Sequence, residues 1–170
     1  MIKISPARQA AFGILLRIEK DKAFSSSLLD ASGETLSPKD RSLCHELTLG
    51  ALRRQIWLDS IIDGLVKNRK LDIEVRVALR IGAYQLLFLE RVPDYSAINE
   101  SVNLVQLAGK TSAKGLVNAV LRRVQKGVPA SVPADEVAKL ALAESHPRWL
   151  IEKWIAEFGF ESAAELARAN

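Results

Sequence analysis

Residues 72–89 read DIEVRVALRIGAYQLLFL, and as a helix this stretch would present apolar side chains on nearly every side. It lacks the broad polar face of a helix that lies on the surface of a globular protein. A helix that is apolar all round must be covered by other elements. We therefore expect residues 72–89 to form a long central helix around which the rest of the chain packs.

Helix start and stop signals recur on both sides of this segment. Ser5-Pro6 and Ser37-Pro38 each place an N-cap serine before a proline at the first helical position, and Ser96 is the predicted cap of the sixth helix. Apolar residues follow at helical spacing, and no alternating pattern indicates a strand. The sequence therefore predicts an all-α bundle of about seven helices, in which two three-helix groups share the fifth helix. The predicted helices lie at about residues 5–20, 26–31, 37–54, 56–66, 72–89, 96–108 and 112–126.

The composition changes after this bundle. The segment 127–133, GVPASVP, has two prolines and a glycine, which is typical of a linker. Beyond it the pattern predicts a short helix and then a helix with a broad apolar side that includes Trp149, Trp154 and Phe158. We divide the chain into a helical domain at 1–127, a linker with a short helix at 128–144, and the start of a further domain at 145–170.

The composition does not favour membrane insertion or catalysis. No apolar stretch approaches the roughly 18 to 20 residues that a bilayer span needs, and residues 1–6 lack a signal-peptide core, so we expect a cytoplasmic protein. Cys44 is the one cysteine, and with two histidines it cannot complete a cysteine–histidine metal site. No glycine-rich phosphate loop is present. We expect this chain to hold no catalytic residue, cofactor or metal.

The charge is distributed unevenly along the chain. Residues 1–130 contain 20 of the 24 Lys and Arg residues against 13 acidic residues, whereas residues 131–170 contain 4 against 7. A local basic surplus favours polyanions, because each phosphate that is neutralised releases counterions. We therefore favour a nucleic acid over a membrane surface as the ligand. A surplus that only keeps the protein in solution remains the alternative.

The seventh predicted helix carries the clearest polar face. Lys114, Asn118, Arg122 and Gln125 follow at spacings of four, four and three, so they share one side opposite an apolar stripe. Such a face suits phosphate contacts. Basic residues also mark both ends of the third helix and the first turn of the first helix. The predicted nucleic-acid contacts, which we expect to converge into one continuous patch, are Arg8, Lys39, Arg41, Arg53, Arg54, Lys114, Asn118, Arg122, Arg123 and Lys126.

Two further arginines require a different interpretation. Arg76 and Arg80 lie on the most apolar helix, where an unpaired charge is too costly. We therefore expect structural ion pairs. Asp72 lies four residues before Arg76, and Glu46 or Glu100 could reach Arg80 from neighbouring helices.

Many positions resemble the NusB-like family over about residues 5–127. The first half of the resemblance rests on Asp40-Arg41-Ser42-Leu43, Glu46-Leu47, Gly50, Leu52-Arg53, Leu58-Asp59 and Ile62. The second half rests on Arg76, Leu79-Arg80, Tyr84-Gln85-Leu86-Leu87, Val92-Pro93, Ile98-Asn99-Glu100 and the run from Gly115 to Arg122. The number of matched positions is specific for the fold.

The resemblance implies one of two settings for this fold. NusB-like modules occur as a free antitermination factor and as the N-terminal domain of the bacterial 16S ribosomal RNA cytosine-5 methyltransferase. The tail from Ser145-His146-Pro147 to Ala169-Asn170 resembles the segment that leads into the catalytic half of that enzyme. On this resemblance the complete enzyme binds S-adenosylmethionine, its catalytic residues lie beyond Asn170, and the partners of this chain are 16S ribosomal RNA and its own methyltransferase domain.

Two alternatives remain open at this point. A free antitermination factor would function without the tail, and a protein-docking module would make little direct contact with RNA. The free factor also resembles a protein with an arginine-dense first helix, whereas the first turn here offers only Arg8. This difference moves the expected RNA contacts toward the third and seventh helices.

Overall fold

The computed structural model describes residues 3–67, 69–127 and 132–170. Within these ranges it contains ten α-helices, one short 3-10 turn at Thr111–Ala113 and no strand, which confirms the predicted all-α class. The first seven helices are α1 (Pro6–Asp21), α2 (Ser25–Gly33), α3 (Pro38–Arg53), α4 (Gln55–Leu65), α5 (Ile73–Phe88), α6 (Asp94–Leu107) and α7 (Lys114–Gln125). The tail forms α8 (Glu136–Ala143), α9 (Arg148–Phe158) and α10 (Phe160–Ala169).

Helix α5 lies at the centre of the bundle. It packs against α1, α3 and α4 on one side and against α6 and α7 on the other. The helices α1, α2 and α3 form one group, and α6 and α7 pack on each other and on α5 to form the second. Gly82 permits this second contact, because a Cβ at that position would lie 2.5 Å from a methyl carbon of Leu121. The packing agrees with the prediction of two groups around the fifth helix, except that α4 contacts α3, α5 and α7 and so belongs to neither group alone.

The start of α6 differs from the predicted one. Ser96 is not the cap of α6, since the helix already begins at Asp94, directly after Pro93. Ser96 instead lies in the first turn and donates to the carboxylate of Glu100 at 3.1 Å.

Residues 128–131 of the predicted linker lie outside the described residues. No helix in the described ranges has both the length and the apolar character that crossing a bilayer requires.

The ion pairs of Arg76 and Arg80 form with partners other than the predicted ones. The guanidinium of Arg80 donates two bonds to Asp59, at 2.8 and 2.7 Å, and a further bond to Glu19. Arg76 donates to Asp59 at 3.3 Å and to Asp63 at 2.8 Å. These bonds join α5 to α4 and, through Glu19, to α1.

The predicted partners Asp72, Glu46 and Glu100 are engaged elsewhere. Asp72 pairs with Lys110 at 3.0 Å. Glu46 accepts a bond from the hydroxyl of Tyr84, and burial together with this carboxylate raises the pKa of Tyr84 to about 12. Glu100 pairs with Arg8 at 3.0 Å. The prediction that Glu46 or Glu100 neutralises Arg80 is therefore wrong, because α4 and α1 bring other carboxylates closer.

Arg80 remains charged although only 5% of its surface is exposed. Burial disfavours the charged form, but the bonds to Asp59 and Glu19 outweigh that effect and raise the pKa of Arg80. A buried pair of this kind adds little net stability over an apolar contact, yet removing one partner leaves an uncompensated charge. The carboxylates are thus a requirement for α1 and α4 to pack on α5.

The tail has a small core of its own. Leu140 and Ala141 of α8 pack with Ile151 of α9 and with Ala164 and Ala167 of α10. The side chains of Trp154 and Ile155 cover this cluster in part. Helix α8, which the sequence pattern groups with the linker, therefore shares its apolar contacts with the two helices that follow it.

Ser145 joins this tail to the first bundle. Its hydroxyl oxygen accepts from the backbone N–H groups of Ile56 at 3.1 Å and Trp57 at 3.3 Å. These are free donors in the first turn of α4, whose own N-cap residue, Arg54, supplies no side-chain cap. Arg54 in turn donates to the carbonyl of Ala143 at the end of α8, at 3.1 Å. The bundle and the tail thus each cap a helix end of the other.

The backbone of Ser145 is left-handed, with φ of 60°. Its N–H donates to the carbonyl of Leu142, and the N–H of His146 donates to that of Ala141, which together form a Schellman motif at the end of α8. Glycine is the usual residue at this position because it has no Cβ. Serine adopts the strained conformation here and contributes the hydroxyl that caps α4.

Replacing Asp59 should destabilise the bundle strongly. In Asp59→Ala, Arg80 keeps only Glu19 and Arg76 keeps only Asp63, so we expect the free energy of unfolding in urea to fall by about 3 kcal/mol. Asp63→Ala is the matched control, since Asp63 is more exposed and contacts only Arg76, and it should cost less than about 1 kcal/mol. Equal losses for the two variants would contradict the central role of Asp59.

Substitutions at Ser145 should separate two contributions to the free energy of unfolding, that of the hydroxyl cap on α4 and that of the strained backbone. Ser145→Ala loses the cap and keeps the strain, so we expect a loss of about 1 to 2 kcal/mol in the free energy of unfolding. Ser145→Gly also loses the hydroxyl but relieves the strain, so it should be the more stable of the two variants. Ser112→Ala, at an exposed serine, serves as the control for urea denaturation. An alanine variant as stable as the parent would contradict the capping role.

Candidate nucleic-acid interface

Helix α7 has one buried side and one polar side, as predicted. Its apolar residues Val117, Val120, Leu121 and Val124 are all buried against α5 and α6. The polar side carries Asn118, Arg122 and Gln125, which are exposed, and Lys114, which is partly exposed. The exposed residues Arg123 and Lys126 extend this surface. We call the surface formed by Lys114, Asn118, Arg122, Arg123, Gln125 and Lys126 the α7 face.

The cations of the α7 face are not neutralised by carboxylates. The helix itself contains no acidic residue. Among the described residues, Lys114, Arg122, Arg123 and Lys126 form no salt bridge. Arg122 donates only to the amide oxygen of Gln125, at 3.3 Å. Their charges are therefore available to an anion from solution.

A second basic surface follows the outer side of α3. Arg41 and Arg53 lie at its two ends, twelve residues apart, and line a shallow concavity of about 400 Å³ with Ser42, His45, Glu46, Leu49 and Gly50. The guanidinium of Arg41 donates to the carbonyl of Gly33 at the end of α2. Lys39 is exposed at the start of the helix. We call this surface, formed by Lys39, Arg41 and Arg53, the α3 face.

The α3 face and the α7 face belong to different helix groups. Helix α3 packs against α1, α2, α4 and α5, whereas α7 packs against α4, α5 and α6. Helix α5 therefore lies between them. The predicted contacts divide into two faces, and the α7 face carries the greater number of free cations.

Arg8 is not available for the RNA contact that we predicted. Only 6% of its surface is exposed. Its guanidinium donates to Gln85 at 2.7 Å, to the hydroxyl of Ser5 at 3.0 Å and to the carboxylate of Glu100 at 3.0 Å. The prediction is wrong because the first turn of α1 packs against α5 and α6, where this charge has its partners.

Arg54 is also engaged within the molecule. Besides its bond to the Ala143 carbonyl, its guanidinium lies over the ring of Phe88, 5.6 Å from the ring centre. Ala143 lies 89 residues further along the chain, so the sequence around Arg54 does not reveal this contact. Arg53, its exposed neighbour, is the one of this pair that faces solvent.

A pocket that we did not predict lies beside the start of α6. It has a volume of about 560 Å³ and lies between residues 3–6 and the helix positions Tyr95, Ser96, Asn99, Glu100 and Asn103. Tyr95, Asn99 and Asn103 repeat at a spacing of four, so they share one side of α6. That repeat is the sequence signal that could have identified the pocket, although the part played by residues 3–6 requires the tertiary structure.

Comparisons with known proteins agree with this architecture. The chain is 35% identical to the "Probable ribosomal RNA small subunit methyltransferase B" of Bacillus subtilis, over 99% of this chain and 39% of that protein. It is also 35% identical to the "Ribosomal RNA small subunit methyltransferase B" of Pseudomonas putida, over 96% of this chain and 37% of that protein. The chain therefore spans less than two fifths of the length of these relatives.

A solved structure has the same fold. A chain in the crystal structure of antitermination factors NusB and NusE in complex with dsRNA is 25% identical, with a TM-score of 0.66. The match covers 72% of this chain and 96% of that one. A model of the NusB family matches residues 5–126, which are the residues that form α1 to α7 and their connections. The resemblance seen in the sequence is confirmed, and the chain belongs to the NusB family.

Proposed function

We propose that this chain is the RNA-binding N-terminal module of an S-adenosylmethionine-dependent 16S ribosomal RNA cytosine-5 methyltransferase. The similarity to small subunit methyltransferases extends through 99% of the chain and therefore includes the tail as well as the NusB bundle. A solved relative of the bundle was crystallised with double-stranded RNA. The inclusion of the tail favours the methyltransferase over the free antitermination factor.

The free cations of the α7 face carry this proposal. Arg122, Arg123 and Lys126 lie within one turn and a half of each other and lack carboxylate partners among the described residues. Contacts to phosphates position a protein on RNA without reading its sequence. In this role the module supplies affinity and orientation, and the remainder of the enzyme supplies base specificity and chemistry.

The described residues of this chain do not fit the proposed cofactor. The described ranges contain no strand, and the residues that line the pocket beside α6 include no glycine-rich loop. We assign no S-adenosylmethionine contact and no catalytic residue here. We propose that both belong to the part of the full-length enzyme that corresponds to the remaining three fifths of its relatives.

The proposed protein partner is that catalytic part. The tail exposes large apolar side chains, with 65% of Trp149 and 54% of Phe158 accessible, and Phe160 and Leu166 are also exposed. Phe158 and Leu166 line one open concavity, and contiguous apolar surfaces of this kind mark contacts with another domain. The proposed substrate, ribosomal RNA, makes the cytoplasm the expected compartment.

Neutralising the α7 face should weaken RNA binding and its dependence on salt. For the triple variant Arg122→Gln, Arg123→Gln and Lys126→Gln, we expect at least about a tenfold loss of affinity for a 16S ribosomal RNA fragment. The slope of log affinity against log salt should decrease in magnitude by about two to three. Fluorescence anisotropy at several salt concentrations measures both quantities.

A matched control removes the same charge elsewhere. Lys22→Gln, Lys70→Gln and Lys153→Gln change three exposed cations that belong to neither basic face and, like those of the α7 face, form no salt bridge among the described residues, so this variant should retain most of the affinity. Equal losses in the two triple variants would indicate only a general charge effect. Normal RNA binding by the α7 variant would instead support the protein-docking module and overturn the proposed RNA interface.

A further inference from the structure

We infer that the pocket beside the start of α6 binds one unpaired base of an RNA strand, with the ring of Tyr95 as the stacking surface and the amide of Asn99 at the base edge. This inference rests on the proposed function, since it assumes that RNA is the ligand. It adds a base contact to the phosphate contacts of the α7 face.

Tyr95 is positioned as a stacking surface because it has little packing of its own. It lies in the first turn of α6, and 65% of its surface is exposed although it is a large aromatic residue. Proteins that bind single-stranded RNA place successive bases on exposed aromatic rings of this kind. The pocket volume of about 560 Å³ lies within the usual range for small-molecule sites.

The amide of Asn99 is free to read the edge of a base. Asn99 is exposed one turn after Tyr95, and it forms no side-chain hydrogen bond in the described part of the chain. Asn103, one turn further, already donates to the carbonyl of Lys3 at 3.0 Å and so holds the chain start against α6. An asparagine amide offers one donor and one acceptor side by side, the arrangement that pairs with adenine.

The acidic residue in the pocket is neutralised. Glu100 would repel a nucleotide if its charge were free, but its carboxylate accepts from Arg8 at 3.0 Å and from the backbone N–H of Ser5 at 2.7 Å. The hydroxyl of Ser96 adds a third bond at 3.1 Å. Glu100 therefore forms part of a fixed polar floor. The exposed residue Lys3 contributes a cation to the rim.

The pocket lies next to one end of the α7 face. Helices α6 and α7 pack together with a short connection, so the end of α7 lies beside the start of α6. The amide of Gln125 donates to the carboxylate of Asp94, the residue before Tyr95, at 2.9 Å. Gln125 in turn accepts from Arg122. A strand whose phosphates contact Arg122 can thus turn one base toward Tyr95.

The test uses the whole chain and a short oligoadenylate that carries one 2-aminopurine, whose fluorescence falls when the base stacks. We expect the parent protein to quench this fluorescence and Tyr95→Phe to do the same, because phenylalanine also stacks. Tyr95→Ala should abolish the quenching and weaken binding roughly fivefold to a hundredfold, with the salt slope unchanged. Asn99→Ala should reduce the preference for oligoadenylate over oligouridylate.

A duplex RNA of the same length separates this inference from the proposed function. Tyr95→Ala should leave duplex binding unchanged, whereas the α7 triple variant should weaken binding of both RNAs. If Tyr95→Ala binds oligoadenylate as the parent does, the base pocket is wrong and the phosphate interface stands. If the parent protein binds neither RNA, both are overturned. Tyr95 is exposed, so circular dichroism should report an unchanged fold for its variants.

Discussion

Arg80 carries its charge inside the molecule, and three helices are arranged around that charge. The residue belongs to α5, while its partners Asp59 and Glu19 come from α4 and α1. Because a buried cation without partners is too costly, these helices must pack with both carboxylates in reach. This requirement sets their register on α5. It also leaves the opposite side of α5 for α6 and α7, which carry the proposed RNA surfaces.

The sequence determines the element types and the central helix, but not the partners across helices. The apolar pattern of residues 72–89 suffices to place α5 in the centre, because such a helix has no side for water. Asp59 and Asp63 repeat at the same spacing of four as Arg76 and Arg80, which is a usable signal. This spacing predicts the ion pairs only once it is known that α4 packs against α5.

The same distinction separates the predictable from the unpredictable parts of the site. The α7 face follows from local spacing, since the polar side of an amphipathic helix is set by the helix alone. Arg8 was misassigned because its burial depends on Gln85 and Glu100, which are far away in the chain. The pocket at Tyr95 likewise combines α6 with the chain start. Both require tertiary contacts that one helix cannot reveal.

The exchange of caps by Ser145 and Arg54 has a mechanical consequence. Hydrogen bonds with strict directions between the tail and the first bundle set the angle at which the tail packs on the bundle. Helix α9 has 11 residues and so acts as a lever of about 16 Å. A tilt of about 10° at its base would swing its far end by about 3 Å. The bonds at the first turn of α4 thus determine where the exposed Phe158, at the far end of α9, lies relative to the bundle.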